Sequence, residues 1–172
     1  VEGTPVVLEG FGPMYRSLLA RISIYTGLPT LVGYDWHQKQ QRMLVESRLG
    51  RSVVDARVRD VETLYSTTDL PTTLNLLRRY RVSYIVVGEH ERHYYPASGL
   101  AKFEQMVGTY LERVYPAGGG PAASSPAGEE TAYPLPVPPP AAYPAPSPEA
   151  APTGGIPGGT AIYRVLPAVW EP

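Results

Sequence analysis

Between residues 116 and 159 the chain carries 13 of its 20 prolines and 8 of its 17 glycines, with no Lys or Arg. The run PLPVPPPAAYPAPSPEAAP excludes a helix or a central strand, because proline fixes φ and removes the backbone donor. A solvated insertion, polyproline-II or disordered, is expected there. It would serve either as a proline-rich ligand for a partner domain or as an elaborated surface loop. The folding unit must then come from residues 1–115 joined to residues 160–172.

That remainder is patterned. Apolar runs stand at Pro5 to Gly10 (PVVLEG), Leu28 to Gly33 (LPTLVG) and Tyr84 to Glu89 (YIVVGE). None alternates strictly, which suits strands covered on both faces. Helical spacing lies between them. Met14 to Ile22 follows Pro13, and Trp36 to Leu49 is polar, with Met43 and Leu44 on its apolar side. Ser52 and Asp55 make a capping-box-like start before Val54, Val58, Val61 and Tyr65. Asp69 caps a helix with Pro71 in its first turn and Leu70, Leu74 and Leu77 as its buried stripe. Ser98 is expected to cap another, in which Leu100, Phe103, Val107 and Leu111 recur. Strands alternating with helices predict an α/β three-layer sandwich with a mostly parallel sheet. Leu111 to Tyr115 and Ala161 to Val165 would pair as an antiparallel edge hairpin with the insertion at its tip.

Composition narrows the function. The 172 residues suit one domain with a real core. Net charge is −1, so no basic excess argues for nucleic acid. The absence of cysteine removes disulfides, thiolate metal sites and cysteine nucleophiles. No run approaches the length of a membrane span. The start at Val1, without Met or signal peptide, reads as a piece of something longer or a processed product. Phosphate-loop, dinucleotide and nucleophile-elbow signatures are missing: GFGPMY is short and broken by proline.

In parallel sheets ligands collect beyond the carboxyl ends of the strands. Here the runs end in Glu9 and Gly10, in Gly33 to His37, and in Gly88 to Arg92, so these groups should share one rim. Glu9, Asp35, Trp36, His37, Arg42, Glu89, Glu91 and Arg92 are its candidate binding residues. His37 with Glu9 and Glu89 has the chemistry of a metal site but lacks a histidine pair at ligand spacing. His37 with Asp35 suits acid–base work, or simply a helix-start hydrogen bond. Glu89 and Glu91, two apart in an extended segment, would point the same way, unlike a glycosidase pair. Arg92 or Arg42 is then the expected partner of these carboxylates, and an Arg–carboxylate network is expected in place of a metal. Thirteen tyrosines, with Tyr25, Tyr34 and Trp36 near the second run, suit a sugar or peptide surface as well as core packing.

The stretches LEGFGPMYRSLLARISIYTGLPTLVGYDWHQKQQR, VRDVETLYSTTD and LLRRYRVSYIVVGEHERHYYPASGLAKFEQM, with the closing IYRV, resemble the C-terminal soluble region of the YYY-type membrane proteins. These are multi-spanning proteins distantly similar to GT-C glycosyltransferases. The resemblance covers roughly Leu8 to Met106 and is most specific from Thr26 to Arg42 and from Tyr84 to Arg92. It implies an extracytoplasmic domain of an integral membrane protein, partnered by the transmembrane part of the same polypeptide. Such a domain helps bind a glycan or lipid-linked sugar and carries no catalytic residue, cofactor or metal. The family pattern has Trp after the Gly of the second run and an acid after the His. Tyr34 and Gln38 stand at those places here, so no role of that acid is carried over.

Overall fold

A computed structural model describes residues 3–12, 20–49, 52–116 and 159–171. The elements run β1 (Val6–Leu8), α1 (Arg21–Thr26), α2 (Asp35–Leu49), α3 (Val53–Ser66), α4 (Leu70–Tyr80), β2 (Val82–Val87), α5 (Glu89–Tyr94), α6 (Ala97–Gln105), β3 (Leu111–Tyr115) and β4 (Ala161–Val165). A single 3₁₀ turn, Pro167–Val169, follows. The protein is mixed α/β, with a four-stranded sheet in the order β1-β2-β4-β3.

The sheet is not mostly parallel. Only β1 and β2 pair in parallel, while β4 runs antiparallel to both β2 and β3. The second apolar run forms no strand. Thr30 makes one parallel bridge to Val7, and the carbonyl of Pro29 accepts the Val7 N–H at 2.8 Å. Proline cannot donate to a ladder, so pairing stops there, although Leu31 and Val32 still enter the core. The expected antiparallel hairpin of β3 and β4 forms at one edge of the sheet, with β3 outermost and β4 pairing β2 on its other side. The proline-rich insertion falls outside the described residues, as does most of the Met14 to Ile22 helix.

Helix starts follow local chemistry. Ser52 Oγ accepts the Asp55 N–H at 3.1 Å and Asp69 Oδ2 accepts the Thr72 N–H at 2.8 Å. Ser98, in contrast, lies inside α6, whose N-cap is Pro96. Proline fixes φ there, and the preceding Tyr95 is extended as a pre-proline residue should be. The helical stripes shift accordingly. Leu70 is exposed and Thr73, Leu74 and Leu77 are buried in α4; α6 buries Leu100 and Phe103 and ends before the exposed Val107.

The core joins Leu8, Val61, Leu64, Tyr65, Leu77, Ile85, Phe103, Leu111 and Tyr163. At Gly99 a Cβ would lie 2.2 Å from the Tyr65 carbonyl oxygen, so α3 and α6 touch through glycine. Among the described residues no helix is long and apolar enough to cross a membrane.

Candidate functional site: a polar rim at the ends of β1 and β2

Helix α1 begins without a local cap. Its N-cap, Ala20, is left-handed (φ 51°) and offers no side-chain acceptor. The orphan amides of the first turn need one. Glu9, just past β1, supplies it: Oε2 accepts from Ile22 N at 2.9 Å and Oε1 from Ser23 N at 3.1 Å. Burial pushes the Glu9 carboxyl up, against the pull of these two N–H groups and of Arg21.

The third apolar run ends earlier than its pattern implies. The strand stops at Val87, Gly88 becomes an N-cap, and Glu89 and Glu91 enter the first turn of α5, where acids are favoured. The extended reading of this segment is therefore corrected. Two residues apart on a helix, the side chains stand roughly 200° apart around its axis, which leaves Glu89 exposed and Glu91 fully buried. Glu91 Oε1 accepts from Gly10 N (3.0 Å) and Arg21 Nη1 (3.2 Å), and Oε2 from Gly88 N (2.7 Å) and Arg21 Nη2 (2.9 Å). Burial alone would raise this carboxyl, but the bidentate Arg21 and the two backbone donors outweigh it and hold it below its ordinary range. Arg21 is correspondingly raised: burial opposes its charge, and Glu91 overcomes it. A Cβ on Gly88 would sit 2.8 Å from Arg21 Nη2, so the guanidinium needs the bare backbone.

Two tyrosines brace the rim. Tyr65 Oη lies 2.8 Å from the Val86 carbonyl and 3.1 Å from that of Leu8, tying the ends of β2 and β1. Tyr95 Oη donates to the Phe11 carbonyl (2.8 Å) and accepts its N–H (2.7 Å), and its ring stacks on Tyr65 at 4.7 Å. Burial raises both phenols well above their ordinary range.

The structure thus gathers Glu9 and Glu91 around Arg21 and the Gly10 backbone. The arginine expected there was Arg92 or Arg42; it is Arg21. Arg92 is half-buried and donates Nη1 to the Val87 carbonyl at 3.2 Å. Asp35 is buried in the first turn of α2 and meets Lys39 at 3.2 Å, which also holds Asp55 at 2.6 Å. Trp36, His37 and Arg42 lie along α2, all three exposed, with the His37 ring edge-on to Tyr34 at 6.0 Å. No group of three metal-ligating side chains stands together among the described residues.

Sequence reasoning missed Arg21, Tyr65 and Tyr95 as parts of the rim. Tyr65 did carry a signal, since it continues the apolar repeat of α3. Arg21 carried none, because its partner lies 70 residues away. Chemically, both oxygens of Glu91 and both of Glu9 are taken by internal donors, so the rim holds backbone in place and leaves neither carboxylate poised for proton transfer. What it presents outward is α1, none of whose residues is buried, with Ile24 59% and Tyr25 86% exposed. No protein-family model, no curated protein and no solved structure matches this chain.

Proposed function

We propose that this chain is a non-catalytic, extracytoplasmic accessory domain of a polytopic membrane protein of the YYY type, similar to GT-C glycosyltransferases, and that it helps position a glycan or lipid-linked substrate. The observation that carries the reading is the contrast within residues 21–43. The rim carboxylates beneath are saturated and fixed, while Ile24, Tyr25, Trp36 and Met43 stand exposed. Aromatic faces beside polar side chains such as His37 and Arg42 suit sugar rings and phosphate-bearing headgroups. Helices on both faces of the sheet, as three layers, and the proline-rich insertion as a surface segment complete the proposal.

Two experiments bear on it. The gene upstream of Val1 should encode several transmembrane helices; a short soluble reading frame would end the proposal. In the full-length protein, Trp36→Ala with Arg42→Ala should weaken substrate binding or turnover while membrane insertion stays normal. A structural or protein-interaction domain with no substrate is the second reading, favoured by the complete internal engagement of Glu9 and Glu91. It requires the same pair of substitutions to weaken assembly and leave substrate binding intact.

A further inference from the structure

Helix α2 is covered at its start and bare further along. Leu31, Val32 and Asp35 are buried, and Lys39 is held by Asp35 at 3.2 Å and by Asp55 of α3 at 2.6 Å. Beyond that point Gln40, Gln41, Arg42 and Met43 are all exposed. Consecutive helical residues point about 100° apart, so four exposed in a row leave no side of this turn covered. Arg48, in the last turn, is exposed as well. Helices in proteins draw most of their stability from packing one face, and this stretch of α2 has none packed.

The bare side chains are ordered around the axis. Trp36 and Met43, 51% and 66% exposed, are seven residues apart and so lie within about 20° of each other. They draw one apolar line along the helix, with the uncharged Gln40 between them. Arg42 and Arg48 fall roughly 120° to either side of Trp36. The charge of Lys39 is answered by two carboxylates, whereas neither arginine makes an ion pair among the described residues. Among the described side chains of α2, every exposed charge is therefore an unanswered arginine.

We propose that α2 lies on an anionic lipid surface, with Trp36 and Met43 entering the headgroup–acyl boundary and Arg42 and Arg48 reaching lipid phosphates. Indole rings favour that boundary, and long arginine stems flanking an apolar line carry their charge back to the headgroups. A second copy fits less well. A two-fold contact would set the same patch against itself, arginines included, with no described exposed acid on α2 to answer them. Two inserted side chains and two cations give weak, salt-sensitive binding, sufficient for a domain whose tether already holds it at the bilayer.

Placement on the bilayer deepens the reading of this surface given above, and rests on it for the source of the membrane. The two fail separately. A gene without upstream transmembrane helices ends that reading and leaves vesicle binding to be measured. Absent vesicle binding leaves the transmembrane helices untouched.

The test uses the whole 172-residue chain and sedimentation with phosphatidylglycerol or phosphatidylcholine vesicles. Binding should need phosphatidylglycerol and fall as salt is raised. Arg42→Gln and Arg48→Gln should each lower the partition coefficient about fivefold, the share of one basic residue near an anionic surface. Trp36→Ala should lower it at least as much. Leu70→Ala, at an exposed apolar residue of α4, should leave it unchanged. All these positions are exposed, so the variants keep the fold, which circular dichroism checks.

Trp36 and Trp170 are the two tryptophans of the chain, so Trp170→Phe makes Trp36 the sole reporter. Its emission should shift to the blue on phosphatidylglycerol vesicles and stay put on phosphatidylcholine. No sedimentation with phosphatidylglycerol, an unshifted Trp36, or binding unchanged in Trp36→Ala and Arg42→Gln would overturn the proposal. So would two outcomes without vesicle binding: self-association that Trp36→Ala abolishes, which assigns α2 to a second copy, and binding to polyglutamate, which assigns it to an acidic protein.

Discussion

At the ends of β1 and β2 the buried Glu91 meets the guanidinium of Arg21 and two backbone N–H groups, whereas between α3 and α6 the buried Lys102 meets carbonyl oxygens. Lys102 Nζ donates to Leu64 O, in the last turn of α3, and to Gly99 O at 2.9 Å, and lies 4.3 Å from the Phe103 ring centroid. Carbonyls near a helix C-terminus favour a cation, but they carry only partial charge. Burial pushes the lysine down to about 8, while Glu91, with a full countercharge, is held in its charged form. Similar burial therefore has opposite consequences. A matched charge becomes a fastener, and an unmatched one becomes a cost that titrates.

The largest effect that can break this comparison is the removal of the countercharge. Arg21→Met leaves Glu91 buried and alone, and should destabilise the protein by about 3–5 kcal/mol at neutral pH. Adding Glu91→Gln should restore part of the loss in chemical denaturation. Strictly additive losses would mean that the two side chains do not depend on each other.

Next comes the contact beneath Lys102. In Gly99→Ala the new methyl would fall 2.2 Å from the Tyr65 carbonyl oxygen, with backbone in its way, so α3 and α6 must separate. A loss of about 1–3 kcal/mol or more is expected. An unshifted denaturation midpoint would place the helices farther apart than described.

The lysine itself should show in the pH profile. Its folded pKa lies below the ordinary value of 10.5, so between pH 8 and 10.5 the unfolded chain holds more protons and stability rises with pH. The gain by pH 10 is roughly 2 kcal/mol, since each tenfold difference in proton affinity between the folded and unfolded chain is worth about 1.4 kcal/mol. Above pH 10 the buried Tyr65, Tyr95 and Tyr163, whose folded values are raised, reverse the slope, because the unfolded phenols ionise first. Lys102→Met should flatten the rising limb. A limb that persists in this variant assigns it to another group.

The acid side sharpens the contrast within the rim. Glu91, lowered from 4.5, contributes stability that is present above that value and lost as pH falls through its folded pKa. Glu9, raised from 4.5, works in the opposite sense: its cost disappears as pH falls below its folded pKa. Glu91→Gln should therefore blunt acid denaturation and Glu9→Gln should not. The smallest effect belongs to the exposed surface, where Trp36→Ala should change stability by no more than about 0.5 kcal/mol. A larger loss would make Trp36 part of the packing and remove it as a presented side chain.

Local chemistry made much of the fold legible. Ser52 and Asp69 announce their helices because a side-chain oxygen reaches an amide three residues on, within one turn. The polar pattern marks α2 from Trp36 onward, and the matched short runs Leu111 to Tyr115 and Ala161 to Val165 mark their own pairing. Runs of apolar residues were less decisive. Leu28 to Gly33 and Tyr84 to Glu89 look alike in composition, yet the first yields one bridge and the second a full strand. The difference lies in Pro29 and in how many neighbours each backbone finds, which composition does not specify.

The rim shows the same division. The sequence by itself placed carboxylates after the apolar runs, excluded thiolate chemistry, and marked Tyr65 as a core residue of α3. Only the tertiary structure decided that Glu9 would cap α1, that Glu91 would turn inward while Glu89 turned out, and that Arg21 would be the partner. An N-cap bond spans a few residues and is written in local order. A buried ion pair joins residues 70 apart, and its partner is chosen by which backbone amides and which guanidinium the packed elements bring within about 3 Å.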